Sequence, residues 1–267
     1  MSGNGIPESL RAALNTVARA GRLLVASDYD GCLAPIVSRP EDAVPNPDSI
    51  VAIESAAALP DTMAAVVSGR ELAVLAALSG LRAPVTLVGS HGSEFDTGFA
   101  TAVGAAERAL LAEIIDELRS IAADFPGSTV ETKPASTALH VRNTAPADAA
   151  AALDRARTGP AARDGVHVTE GKAVIELAVI ETSKGHALDV LRARTHADAV
   201  VYIGDDVTDE KAFAHLDPDR GDLGIKVGDG DTGARFRITD PDAVADVLGF
   251  LVDQRREFTT RRRDSAG

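Results

Sequence analysis

Leu23-Leu24-Val25-Ala26-Ser27-Asp28-Tyr29-Asp30-Gly31 is the stretch on which the reading of this chain turns. The apolar run at its start reads as a buried strand over 22–27. Two carboxylates separated by one residue close that strand, and open α/β sheets place their ligands beyond the carboxyl ends of strands. A glycine next to them lets the chain leave the strand sharply. Acids in such a place are also found as solvated loop charges or helix caps, and the pair by itself leaves those readings open.

Outward from this point, strands and helices alternate, the pattern of an α/β protein with a largely parallel sheet. Strands are expected at 63–67 and 85–89, and helices at 8–20, 48–58 and 70–79. After Gly98 the pattern changes. Residues 104–123 carry helical spacing, and the runs 129–133 and 137–142 alternate like strands with one wet face. A second Ala-rich helix at 147–157 and strands at 165–169 and 172–178 follow. The parallel pattern then resumes, with helices at 183–193, 208–215 and 241–252 and strands at 199–203 and 223–227. The expected architecture is a Rossmann-like parallel core formed by 1–103 and 179–267. An α/β cap carrying an antiparallel sheet, 104–178, is inserted into it.

Composition bounds the function. Hydrophobic residues make up 45% and charged residues 25% of 267 residues, ordinary values for a globular protein. Aromatics are 3% and Trp is absent, so Ala, Val, Leu and Ile must build the core. A single Cys excludes a disulfide framework and any multi-Cys metal site. The net charge of -13 argues against nucleic acid as a partner but leaves room for a small phosphorylated ligand held by local cations. Met1-Ser2-Gly3-Asn4-Gly5-Ile6-Pro7 has no apolar core of signal-peptide length, and no run approaches the ~20 apolar residues of a membrane span. A cytoplasmic monomer without membrane attachment is expected. Arg261-Arg262-Arg263 reads as a frayed basic end.

Four elements carry the chemistry. Asp28 is the candidate nucleophile, since a carboxylate can attack phosphorus and form an aspartyl phosphate. Asp30, about 7 Å along the strand on the same face, is the candidate general acid and base. Ser68-Gly69-Arg70 closes the strand before 70–79. It serves as a helix cap or as an anion site at a helix start. Lys184-Gly185 opens a helix with a cation that opposes the helix dipole, a small local penalty that suggests another use or an exposed side chain. Gly204-Asp205-Asp206-Val207-Thr208-Asp209-Glu210 follows an apolar strand, and clustered carboxylates of this kind suit Mg²⁺. In that string Asp205 is the expected ligand, while Asp209 and Glu210 read as first-turn acids that suit the dipole. Their order supplies nucleophile, acid, phosphate grip, cation and metal carboxylate, the parts that phosphoryl transfer needs.

In that order the four elements resemble the motifs of the haloacid-dehalogenase-like phosphatases and, more narrowly, the trehalose-6-phosphate phosphatase family, over about residues 20–250. The resemblance implies a Mg²⁺-dependent phosphatase acting on a small phosphosugar, trehalose 6-phosphate, at the last step of trehalose biosynthesis. It implies metal binding by Asp28, the Asp30 carbonyl and Asp205, with Asp206 orienting a metal-bound water. Ser68, Gly69 and Arg70 would bind phosphate, and Lys184 would neutralise it. Gly89-Ser90-His91-Gly92-Ser93-Glu94 and the cap strands also match the family. Through them His91, Glu131, Lys133, Arg142 and Glu176 become expected substrate contacts. Two departures stand out: Cys32 replaces the usual Thr, with an expected retuning of Asp30, and the stretch after Glu176-Leu177 lacks the customary Arg-Pro. Other phosphosugars such as sucrose phosphate or a mannosyl phosphate remain open as substrates. So do a non-catalytic sugar-phosphate sensor and a phosphoacceptor signalling domain.

Overall fold

The computed structural model describes residues 5–95, 98–99, 103–180 and 183–264. Met1–Asn4 and Glu181-Thr182, on which parts of the sequence reading fall, lie outside them. In chain order the strands are β1 (Leu23–Ser27), β2 (Thr62–Val67), β3 (Thr86–Gly89), β4 (Glu94–Phe95), β5 (Gly98–Phe99), β6 (Thr129–Thr132), β7 (Ser136–His140), β8 (His167–Gly171), β9 (Val174–Ala178), β10 (Ala199–Gly204), β11 (Leu223–Val227) and β12 (Phe236–Ile238). The α-helices are α1 (Glu8–Val17), α2 (Pro47–Ala57), α3 (Leu72–Ser79), α4 (Ala105–Asp124), α5 (Pro146–Thr158), α6 (Lys184–Thr195), α7 (Val207–Phe213) and α8 (Pro241–Asp264). Two compact units divide the chain: Met1–Gly98 with Ser183–Gly267, and Phe99–Thr182. Among the described residues no helix is long and apolar enough to cross a membrane.

The first unit is built on a sheet of order β12-β11-β10-β1-β2-β3-β4-β5. Every pairing from β12 to β3 is parallel, and β4 turns back antiparallel to β3. Alternate residues of β1 face opposite layers. Leu23 and Val25 join Leu10, Leu14, Ile53, Val244 and Leu248 in one buried cluster under α1, α2 and α8, while α6 and α7 contact the sheet from β1, β2 and β10. β1 is central, and the chain leaves it toward β2 on one side and reaches β10 on the other. That reversal is where a doubly wound sheet opens its binding crevice. The register pairs Ser27 with Ile203, and the Asp28 N–H donates to the Ile203 carbonyl at 2.8 Å. Asp28 and the Gly204-Asp205 turn therefore leave the sheet side by side.

α8 runs twelve residues beyond its expected end at 252, through the basic cluster Arg261-Arg262-Arg263, which is a helical turn rather than a frayed end. Arg255 explains the extension. It is 1% exposed, and its guanidinium donates to the carbonyls of Ala18, Ala20, Gly21 and Asp61 and to the Thr62 hydroxyl. The three-residue edge strand β12 was too short to leave a periodic signal.

The second unit holds the antiparallel sheet β6-β7-β9-β8. Leu139, Ile175 and Leu177 pack beneath α4 and α5, with Ile114, Leu118, Ala152 and Ala156 from the helices. Register places Glu131, Ala138, Glu176 and Thr169 in one row across the strands. Their side chains therefore share the face opposite that apolar layer.

Candidate active site

Asp28 sits one residue past β1, 4% exposed. Its Oδ1 accepts the Tyr29 N–H at 2.6 Å, and its Oδ2 accepts the Lys184 ammonium at 2.6 Å. Lys184 is the first residue of α6, a helix capped by Ser183, whose hydroxyl accepts the His186 N–H. The same ammonium reaches Asp209 Oδ1 at 2.8 Å, and both its carboxylate contacts are buried. The cation that local sequence left without a clear use is thus the electrostatic centre of the site.

Asp209 is the residue that sequence reasoning undervalued. Read as a first-turn dipole acid, it is fully buried. Its Oδ1 also accepts the Tyr202 hydroxyl at 2.6 Å, and its Oδ2 accepts the N–H groups of Asp205 and Asp206 at 3.0 and 2.9 Å. Four donors use up a carboxylate's capacity. The local signal that could have found it is the capping box between Asp206 and Asp209. Tyr202, midway along an apolar strand, gave no signal beyond being one of only two tyrosines in the chain.

Carboxylate oxygens of Asp28, Asp205 and Asp209 lie within 4.8 Å of one another. Two close approaches make this possible. A Cβ on Gly31, whose φ is +75°, would lie 2.1 Å from the Asp205 carboxylate, and one on Gly204 would lie 2.4 Å from the Asp209 side chain. The electrostatics follow from one touching ammonium facing three acids. Burial, with the charges of Asp209 and Asp205, pushes Asp28 well above the usual carboxylate range against the pull of Lys184. Burial and Asp209 push Asp205 up to about 7. Asp209 itself is held low despite burial, because Lys184, Tyr202 and a backbone N–H stabilise its charge. Excess buried negative charge on hard oxygen donors fits a divalent cation such as Mg²⁺. Asp209 is saturated, so Asp28 and Asp205 are the side chains able to hold it.

The other expected residues stand as follows. The strand ends at Ser27, and Tyr29-Asp30 belongs to a turn in which the Ala34 N–H donates to the Tyr29 carbonyl. Strand alternation therefore does not set the direction of Asp30. Its two oxygens accept Arg70 Nε at 2.7 Å and Nη2 at 2.6 Å. Arg70, expected to grip phosphate, is committed to Asp30 and lies over the Tyr29 ring at 5.7 Å. Ser68 does not cap α3, which starts at Leu72 after Glu71. Its hydroxyl, on a fully buried residue, accepts the Arg70 N–H at 3.2 Å. The His91 ring lies against Gly69, with a φ of +53° at His91. Asp206 is exposed and caps α7, so its carboxylate is not among the three that converge. Cys32 is buried among core apolar residues, and burial pushes its thiol well up.

In the second unit Lys133 and Glu176, 5% and 12% exposed at their side chains, pair at 3.1 Å through both carboxylate oxygens. The Ser136 hydroxyl adds a donor to Glu176 at 2.7 Å. Glu131 meets His140 at 2.8 Å on the strand surface, and Arg142 is exposed in the turn after β7.

A family model described as trehalose-phosphatase matches residues 26–241. The chain belongs to the trehalose-phosphatase family. It is 36% identical over 239 residues to a bifunctional trehalose-6-phosphate synthase/phosphatase of Thermoproteus tenax, covering 88% of this chain and 32% of that protein. It is 34% identical over 246 residues to a trehalose-phosphate phosphatase of Mycobacterium marinum, covering 87% of this chain and 62% of that protein. The chain therefore spans about a third and about three fifths of those relatives. Among solved structures, the C-terminal domain of C. albicans trehalose-6-phosphate phosphatase superposes with a TM-score of 0.78 over 94% of this chain and 99% of that one, at 22% identity. That likeness carries the fold. Within the trehalose-phosphatase family match lie both acid-bearing turns, the one after β1 and the one after β10.

Proposed function

We propose that this protein is a Mg²⁺-dependent phosphatase that hydrolyses trehalose 6-phosphate to trehalose and phosphate through an aspartyl phosphate. The observation that carries the reading is the meeting of Asp28, Asp205 and Asp209 around Lys184 at the carboxyl ends of two adjacent parallel strands. Phosphoryl transfer asks mainly for positioning and charge neutralisation, and this arrangement offers both.

Asp28 attacks phosphorus with one carboxylate oxygen as the bond to the sugar oxygen breaks. Lys184 steers that carboxylate and offsets charge on the phosphoryl oxygens. Asp30, once released from Arg70 and protonated from solvent, gives that proton to the departing sugar oxygen. The same carboxylate then takes a proton from water, whose oxygen attacks phosphorus and frees Asp28 and inorganic phosphate. Mg²⁺ held by Asp28 and Asp205 would supply Lewis-acid neutralisation of the phosphoryl group. Ser68 offers a hydroxyl to phosphate, and His91 stands beside it in the chain fold as a further phosphate-side contact. For the sugar, Glu131, Lys133, Arg142 and Glu176 are the proposed hydroxyl-binding groups.

Phosphate release from trehalose 6-phosphate with Mg²⁺, compared by kcat/KM with sucrose 6-phosphate, mannose and glucose phosphates, tests the reading. A clear preference for trehalose 6-phosphate is expected. Equal or better turnover of another phosphosugar would replace the substrate. Tight binding of trehalose 6-phosphate without release of phosphate would make the protein a sensor.

A further inference from the structure

Lys226 lies on β11, opposite Gly204 in the parallel register with β10. It is 4% exposed, an unusual place for an ammonium unless it is paired. Its partner is the main-chain carbonyl of Asp205, to which Nζ donates. Among the described residues it makes no carboxylate ion pair. The mechanism above does not use it. Its charge nevertheless acts on Asp205, as one of two lysines that counter the neighbouring acids there.

The Gly204-Asp205-Asp206 turn is held from two sides. Asp209 grips the N–H groups of Asp205 and Asp206, and Lys226 grips the Asp205 carbonyl from the adjacent strand. With both main-chain polar groups of Asp205 bound, its Cα–Cβ direction is fixed, and from there its carboxylate projects toward Gly31 and Asp28. We propose that Lys226 is a positioning residue for the divalent-cation site, fixing the main chain of Asp205 so that its carboxylate and that of Asp28 are preset for the ion. The proposal rests on the metal reading given under the proposed function and deepens it.

Charge and position predict opposite signs. A nearby cation repels Mg²⁺, so a lysine that acted only through its charge would weaken metal binding, and its removal would strengthen it. A lysine that presets a ligand strengthens binding, and its removal weakens it. Titration calorimetry of the full chain with MgCl₂, without substrate, reads the sign directly, and the Mg²⁺-dependent rise in melting temperature reads it a second way. Lys226→Met keeps the apolar stem and removes donor and charge; about tenfold weaker Mg²⁺ binding is expected, the scale of one lost charged hydrogen bond. Lys226→Gln keeps a neutral donor, and binding within about threefold of wild type is expected. It also carries the test if the Met variant does not fold. Unchanged or tighter Mg²⁺ binding in Lys226→Met overturns the proposal, as does a Gln variant that binds more tightly than wild type. Wild-type protein that binds Mg²⁺ yet releases no phosphate from trehalose 6-phosphate would sink the substrate reading alone. Wild-type protein that binds no Mg²⁺ would sink the metal reading and this role together.

Discussion

Two buried charge clusters can be set side by side. At the ends of β1 and β10, three carboxylates converge, and the Lys184 ammonium touches two of them, Asp28 and Asp209. On the cap sheet, among the described residues, Lys133 meets Glu176, and the Ser136 hydroxyl donates to the same carboxylate. The first cluster is out of balance, and burial together with its like charges pushes two of its acids upward. In the second, a buried ammonium directly faces a buried carboxylate. Unbalanced buried charge stores an affinity for a counter-ion. A carboxylate in direct contact with an ammonium has less need of one.

The sharpest way to break this contrast is Asp28→Asn. Loss of phosphate release by at least about a thousandfold is expected, with an unchanged circular dichroism spectrum. Retained release would remove Asp28 from the nucleophile role. Next in size is Glu176→Gln, which leaves Lys133 buried without its full counter-charge. A loss of about 3 kcal/mol in urea denaturation is expected. Adding Lys133→Met to it should return much of that loss, because the pair stands or falls as a unit.

In the unbalanced cluster a carboxylate should be a liability whenever the cation is removed. Asp205 has a folded pKa raised to about 7. Its stabilising protonation is complete below the unfolded value near 4 and is lost as pH rises through 7. In EDTA, wild-type protein should therefore lose stability between about pH 4 and 7, on the order of 2 kcal/mol from this group. Asp205→Asn should flatten that slope and abolish the stabilisation by Mg²⁺. A steeper slope in the variant would contradict the imbalance. The smallest effect belongs to the exposed pair on the cap. Glu131 is held below the usual carboxylate range by its hydrogen bond to His140. Its contribution is present above the unfolded carboxylate value and is lost as pH falls through the lowered one. Glu131→Gln should cost less than about 1 kcal/mol at neutral pH, and the gap to wild type should close in acid.

What could be read in advance follows the range of the interactions. Hydrophobic periodicity is local, and it located β1, β2, β10, β11 and the helices other than α8 to within a few residues. Chemistry at the ends of apolar strands is also a local signal, and it singled out Asp28, Ser68 and Asp205. Asp209 was misjudged because its partners are remote: Lys184 comes from the start of another helix and Tyr202 from the strand before. Nothing within one turn of α7 shows them. The contact between Arg70 and Asp30 was hidden for the same reason, since that carboxylate lies on the turn after the neighbouring strand β1. Ser68 looked like a helix cap because the tripeptide is compatible with one, whereas α3 begins four residues later. The turn of α8 just past its expected end is anchored by Arg255, whose acceptors at the feet of β1 and β2 are invisible to any window along the helix.

The contact between Gly31 and the Asp205 carboxylate has a consequence for how freely the sequence can drift. A single methyl group at position 31 would act as a wedge between two loops encoded at opposite ends of the polypeptide. The interval between the Asp28 turn and the Asp205 turn is thus gauged by the missing side chain, and substitutions in either loop must respect a clearance narrower than one carbon atom.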